Sequence, residues 1–226
     1  KLAHVETVVC PPFVFLHDLS RRAKKHIGGH RCVLGAQDVF FEMEGAYTGE
    51  VSPLMLSSVG AKYVIVGHSE RRLLGETDEM INKKLLAVLK MGQVAVLCVG
   101  ENARDEAQEY FQFIKNQIET ALASVPKRTL ANTVIAYEPV WAIGKNATGV
   151  ITPPDLLEMS IFIRKTVADM FDRASAEAIP ILYGGSVDET NAHEFLKDGE
   201  ADGLLVGRAS LDAEKFVKIL RIAEKV

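Results

Sequence analysis

Short apolar runs alternate with longer amphipathic segments from one end of the chain to the other. The runs Thr7–Cys10, Cys32–Ala36, Tyr63–Gly67, Val94–Val99, Thr133–Tyr137, Pro180–Tyr183 and Gly203–Val206 predict strands. Segments with helical character, such as Asp78–Lys90, Ala103–Ala123, Pro154–Asp172 and Asp212–Lys225, follow most of them. A repeated strand-then-helix order predicts parallel strands joined by right-handed crossovers. One helix start is explicit in the residues. Thr152 suits a cap, Pro153 the first helical position, and Asp155 puts negative charge in the first turn. Leu156, Leu157, Ile161, Ile163 and Val167 then recur at mostly helical spacing and predict the face that packs on the sheet.

With 226 residues, 48% of them hydrophobic, the chain can bury a substantial core, and no Pro/Ser-rich linker divides it. A single α/β barrel domain over residues 1–226 is the expected organisation. The net charge of −4 and the scattering of Lys and Arg among acids leave no basic face, so nucleic acid is not an expected partner. Arg21, Arg22, Lys24 and Lys25 read as the solvated face of the helix after the first strand. Cys10, Cys32 and Cys98 are odd in number and set in apolar contexts, which points to reduced thiols and a cytoplasmic protein. No residue spacing suggests a metal site, and no apolar run approaches the ~20 residues that span a bilayer.

Chemistry enters where the apolar runs end. Thr133–Tyr137 reads as a strand buried on both faces, and Pro139 stops it by removing a backbone donor right after Glu138. Glu138 is thereby placed at a strand's carboxyl end, the rim on which parallel α/β folds do their chemistry. A buried ion-pair role for Glu138, with Trp141 as ordinary core, is the competing reading. After Tyr63–Gly67 comes the polar cluster His68-Ser69-Glu70-Arg71-Arg72, in which His68 can donate to a substrate oxygen or be a satisfied structural histidine. The turns Tyr183-Gly184-Gly185-Ser186 and Gly207-Arg208-Ala209-Ser210 follow successive strands. Their amides suit an anion, in the manner of the phosphate site after the last strands of a barrel.

Taken with Cys10-Pro11-Pro12, Gly35-Ala36-Gln37-Asp38, Gly45 to Ser52 and Cys98-Val99-Gly100-Glu101, these stretches resemble the triosephosphate isomerase family in family order, nearly end to end. The resemblance implies an eight-stranded (β/α) barrel, usually a homodimer, that interconverts dihydroxyacetone phosphate and glyceraldehyde 3-phosphate without a cofactor or metal. It implies Glu138 as the base and His68 as the neutral electrophile. Glu70 becomes the acid behind them, and Gly144, Ser186, Gly207 and Arg208 become donors to the phosphate, Arg208 through its backbone. Pro139, Val140, Trp141, Ala142 and Ile143 begin a lid, with Glu101 a hinge contact and Tyr183 and Ser186 its latch. Thr48 becomes the tip of the loop that reaches the partner subunit, and Gln37 and Arg71 support that framework.

The chain departs from the family pattern twice. Its seven predicted strands lack the family's first unit, whose Asn-x-Lys element carries a substrate-facing lysine, so that unit is expected to be missing or unobserved ahead of Lys1. Dimerisation through Thr48 depends on it. The lid continues as Lys145-Asn146-Ala147-Thr148-Gly149-Val150-Ile151, about two residues longer than is usual, with Asn146 or Gly149 meeting the latch. The alternatives to an isomerase are a catalytically impaired or non-catalytic relative that keeps the phosphate pocket, and an aldolase-like barrel. The aldolase reading is weakened by the lack of a lysine within any predicted strand.

Overall fold

The computed structural model describes residues 2–26, 32–104, 107–144 and 147–226. Lys1, Lys145 and Asn146, named above, lie outside the described residues. Seven strands form one parallel sheet in sequence order: β1 (Thr7–Val9), β2 (Cys32–Ala36), β3 (Tyr63–Val66), β4 (Val94–Val99), β5 (Thr133–Tyr137), β6 (Ile181–Tyr183) and β7 (Gly203–Leu204). Every strand-to-strand pairing is parallel. The helices between them are α1 (Phe13–His26), α2 (Pro53–Ser58), α3 (Ser69–Leu73), α4 (Asp78–Lys90), α5 (Glu109–Ala121), α6 (Pro153–Met170), α7 (Arg173–Ala178), α8 (Ala192–Lys197) and α9 (Ala213–Ala223). The result is the curled parallel sheet with attendant helices of a TIM-type α/β barrel, and the described residues supply its seven β/α units.

Both faces of the sheet are covered, which is why its strands read as continuous apolar runs rather than alternating ones. Val64, Val66, Leu97, Val99, Ile135, Tyr137, Ile181 and Tyr183 join the helix-side core. Ile65, Val96, Cys98 and Ala136 form a second, smaller cluster on the opposite face, with Val134 and Leu182 against it. Glu138 continues the parity of Val134 and Ala136 and so belongs to that inner face.

Four predicted elements match the structure to the residue: Cys32–Ala36, Val94–Val99, Thr133–Tyr137 and Asp78–Lys90. The α6 start is also as expected, with Thr152 and Asp155 in a reciprocal capping box and Pro153 in the first turn. Two expectations need correction. The helix predicted over Ala103–Ala123 begins only at Glu109, because Gln108 takes a left-handed conformation (φ 59°) that a helix cannot continue through. Ile161 is 60% exposed, while Leu156, Ile163 and Val167 are buried. The stripe that packs on the sheet therefore includes Met159, and Ile161 points away from it.

Ahead of β1, the amides of Ala3, His4 and Val5 all donate to the carboxylate of Glu224 beyond α9. Three amides on one carboxylate tie the first described residues to the last helix.

The contrast within α6 gives a stability test. Replacing Ile163, fully buried, with alanine should cost about 2–5 kcal/mol. Ile161→Ala should stay within about 0.5 kcal/mol of the parent, both read from urea denaturation.

Candidate active site

Glu138 sits one residue beyond β5, where its amide donates to the Val99 carbonyl at 2.8 Å and prolongs the β4–β5 ladder. Gly100 crosses it on the neighbouring strand, and a Cβ at Gly100 would overlap the Glu138 carbonyl. Gln117 of α5, itself buried, satisfies the Gly100 amide at 2.9 Å. Glu138 is only 3% exposed.

His68 follows β3, with Gly67 (φ 71°) turning the chain there, and caps the short helix α3. Its Nε2 lies 3.0 Å from Glu138 Oε1, and the Ser69 amide donates to Glu138 Oε2 at 2.9 Å. The two residues singled out as base and electrophile are thus in direct contact. Cys98, on the inner face of β4, adds a third contact through its thiol, which burial first and the Glu138 carboxylate second hold well above the usual thiol range.

Two effects meet at His68. The Glu70 amide donates to Nδ1 at 3.2 Å, so the ring's proton is carried on Nε2, where it faces Glu138. Burial disfavours a second proton, but the hydrogen bond to Glu138, its charge and the charge of Glu70 outweigh it and raise the pKa above 6.5. Most of that rise comes from Glu138, and so it belongs to the arrangement in which the two side chains touch.

Glu70 itself is exposed and acts on His68 through its amide and its charge. Arg71 pairs with Asp38 at 3.0 Å, and Gln37 donates to the Cys10 carbonyl at 3.0 Å. Thr48 stands exposed in the loop ahead of α2. Pro139 and Ala142 are buried, Val140, Trp141 and Ile143 half-buried, and Trp141 donates its indole N–H to Glu101 at 2.7 Å. Thr148 returns to the Trp141 carbonyl at 2.8 Å. Gly149 lies so close that a Cβ there would come within 2.7 Å of the indole ring.

A cleft of about 260 Å³ brings Gly144 and Ser186 together with Ala142, Tyr183 and Asn191. The Ser186 hydroxyl donates to the Ala142 carbonyl at 3.3 Å, and the Ser186 amide is held by the Tyr183 hydroxyl. Gly207 and Arg208 do not line that cleft; they occupy an exposed turn after β7. Among the described residues no group of three His, Cys, Asp or Glu side chains is disposed to hold a metal ion. No described helix is long and apolar enough to cross a membrane.

Two features of the rim escape the sequence. Lys84 of α4, 3% exposed, is paired with both Asp38 and Glu76. Arg104, in the loop before α5, reaches Glu101, Tyr137 and Asp155. A lysine at a buried helix position is the only hint of the first, and nothing in the sequence marks the second.

Residues 1–223 match the family described as Triosephosphate isomerase. The chain belongs to the triosephosphate isomerase family. Proteins named Triosephosphate isomerase are similar over nearly its whole length. That of Thermoanaerobacter pseudethanolicus is 46% identical over 222 residues, covering 97% of this chain and 87% of the relative. The Aquifex aeolicus protein is 48% identical over 217 residues, covering 95% and 85%. The Endomicrobium trichonymphae protein is 44% identical over 225 residues, covering 99% and 87%. The family match begins at residue 1, so it does not bear out the expectation of a missing first unit.

A pH titration tests the contact at the centre of this triosephosphate isomerase-family site. Because the folded pKa of His68 is raised, its contact with Glu138 stabilises fully below about pH 6.5 and fades as pH climbs through the raised value. Histidine NMR should place that pKa above the ordinary histidine value, and Glu138→Gln should lower it.

Proposed function

We propose that this chain is a triosephosphate isomerase, interconverting dihydroxyacetone phosphate and D-glyceraldehyde 3-phosphate by proton transfer through an enediolate. The observation that carries this reading is the Glu138–His68 pair: a buried carboxylate 3.0 Å from an imidazole N–H at the carboxyl rim of a parallel sheet. In the reaction, Glu138 takes the proton from the carbon beside the carbonyl, while the Nε2–H of His68 hydrogen-bonds the carbonyl oxygen as charge builds there. The Nε2 proton of His68 passes to that oxygen and is replaced by the proton of the adjacent hydroxyl, and the carbon-bound proton returns from Glu138 to the former carbonyl carbon, so the reaction consumes nothing and needs no redox partner.

The substrate's phosphate is assigned to the amides of Gly144, Ser186, Gly207 and Arg208. Gly144 and Ser186 already share one cleft, and closing the remaining distance to the turn after β7 is the work given to the lid, Pro139 to Ile143 and the segment after it. The Ser186 amide is held by Tyr183 in this arrangement, so an arriving anion replaces a neutral hydroxyl with a charged acceptor. Glu101 and Trp141 anchor the lid's first end.

A homodimer working in the cytoplasm completes the reading. The exposed apolar side chains Tyr47, Leu54 and Met55 flank Thr48, and Leu73 and Leu74 follow Arg71, an apolar display suited to a partner subunit. The cysteines Cys10, Cys32 and Cys98 are free, as fits a reducing compartment.

Glu138→Gln should abolish isomerisation and leave the fold intact, since a neutral amide cannot take a carbon-bound proton. A coupled assay showing more than about a tenth of the parent rate would overturn the base assignment. A parent protein that bound inorganic phosphate near Ser186 but showed no turnover would favour the non-catalytic reading instead.

A further inference from the structure

Both ends of the connection between Glu138 and α6 converge on one side chain from a different loop. Arg104 donates from Nε to Glu101 Oε1 at 3.2 Å, from one terminal nitrogen to Asp155 Oδ1 at 2.9 Å, and from the other to the Tyr137 hydroxyl at 3.3 Å. Its guanidinium also lies 5.2 Å from the centre of the Trp141 ring and 5.1 Å from that of Tyr110. The side chain is 19% exposed, so these contacts are largely withdrawn from solvent.

Each acceptor is itself a structural anchor. Glu101 is 1% exposed, and its Oε1 takes the Trp141 indole N–H at 2.7 Å and the Tyr137 hydroxyl at 2.8 Å. The Glu101 carbonyl receives the Val140 amide at 3.0 Å, so this one residue grips the chain two and three positions beyond Glu138. Asp155 closes the capping box with Thr152 that starts α6. Arg104 therefore ties the point where the connection leaves the sheet to the point where it rejoins the fold.

We propose that Arg104 is a positioning residue that sets the placement of Trp141, and through it of Glu138, by clamping the two ends of the Glu138–α6 connection against β4. Only a planar fork with several donors reaches two carboxylates and a hydroxyl at once; the ammonium of a lysine is a compact charge that serves one of them well. The carboxylate of Glu101 depends on this cation, because its other oxygen, Oε2, is buried without a hydrogen-bond partner among the described residues. Among the described residues the other titratable groups that face the guanidinium are Tyr110 on α5, Tyr137 on β5 and Asp155 on α6, none of them a second cation. Remove Arg104, and a buried carboxylate is left to hold Trp141 with no cation beside it.

Trp141 is the only tryptophan in the chain, so its emission reports this clamp without any assay of turnover. At neutral pH Arg104→Met should move the Trp141 emission maximum to longer wavelength, because the ring loses the guanidinium packed over its face. Arg104→Lys should return the emission most of the way to that of the parent by restoring the charge, yet recover only part of the activity. This activity arm rests on the isomerase reading above. In it Arg104→Met should lower kcat/KM by roughly 10- to 100-fold, with kcat and KM both altered as for a hinge change. Asp155→Asn should lower it too, and the two changes together should cost no more than the larger one alone.

An unchanged emission maximum in Arg104→Met, or a kcat/KM within about 2-fold of the parent, would overturn the proposal. Additive losses in the Asp155→Asn double variant would do the same, and that variant and Arg104→Lys keep the test alive if Arg104→Met fails to fold. Failure of the isomerase reading would be seen separately, as an inactive parent whose Trp141 emission still shifts once Arg104 is replaced.

Discussion

The hydrogen-bond ladder between β4 and β5 is the constraint on which the rest of the site depends. It is five residue pairs long, from Ala95 opposite Thr133 to Val99 opposite Tyr137, and the Glu138 amide extends it by one more bond to Val99. Because a parallel ladder fixes register, and a slip of one residue would turn every side chain to the other face, the same pairing sends Cys98 and Glu138 inward together. Gly100 is what lets the rim stay this tight, since any larger residue would push the β4 exit off the Glu138 carbonyl. Gln117 then satisfies the Gly100 amide from α5, and the helix layer, the sheet and the carboxylate become one packed unit.

A second constraint lies beneath His68. Arg72 donates to the Gly67 carbonyl and the Cys98 carbonyl and pairs with Asp78 at the start of α4. Asp38, just past β2, holds both Arg71 and Lys84, while Lys84 also holds Glu76. These ions are costly to bury, and such networks are weak grounds for claiming stability. Their geometry does something more specific. They fasten the short helix α3 from three sides, and a five-residue helix has too little hydrogen bonding of its own to hold an imidazole in place.

The legibility of these parts follows the range of the forces that make them. Strand and helix identities rest on local periodicity, so β2, β4, β5 and α4 were readable to the residue, and the Thr152–Asp155 cap could be seen from four adjacent positions. Glu138 and His68 were legible because each closes an apolar run, a signal present in the chain itself. The start of α5 was not, because a left-handed Gln108 leaves no mark in hydrophobic spacing. Ile161 was misplaced for a related reason: five apolar residues cover more of a helix surface than one sheet can bury, and only packing decides which are left out. Arg104 and Asp155 stand 51 positions apart, and no local pattern brings two such residues to one hydroxyl and one ring.

What the site stores is a set of hydrogen bonds waiting to be exchanged. Glu138 accepts from Ser69, faces the Nε2–H of His68 and touches the Cys98 thiol, so a buried carboxylate is supplied with donors before any ligand arrives. For the proposed reaction this arrangement has to loosen, since a base engaged with three donors is a poor one, and the His68 proton is needed at a carbonyl oxygen instead. The exchange is close to balanced: His68 trades a carboxylate for an oxygen gaining negative charge, and its tautomer survives because the Glu70 amide stays on Nδ1 throughout. Moving the carboxylate away also removes the main cause of the raised His68 pKa, so the ring becomes neutral as it takes up its role. The same contact that satisfies the empty site thus leaves His68, once broken, in the protonation state that the chemistry requires.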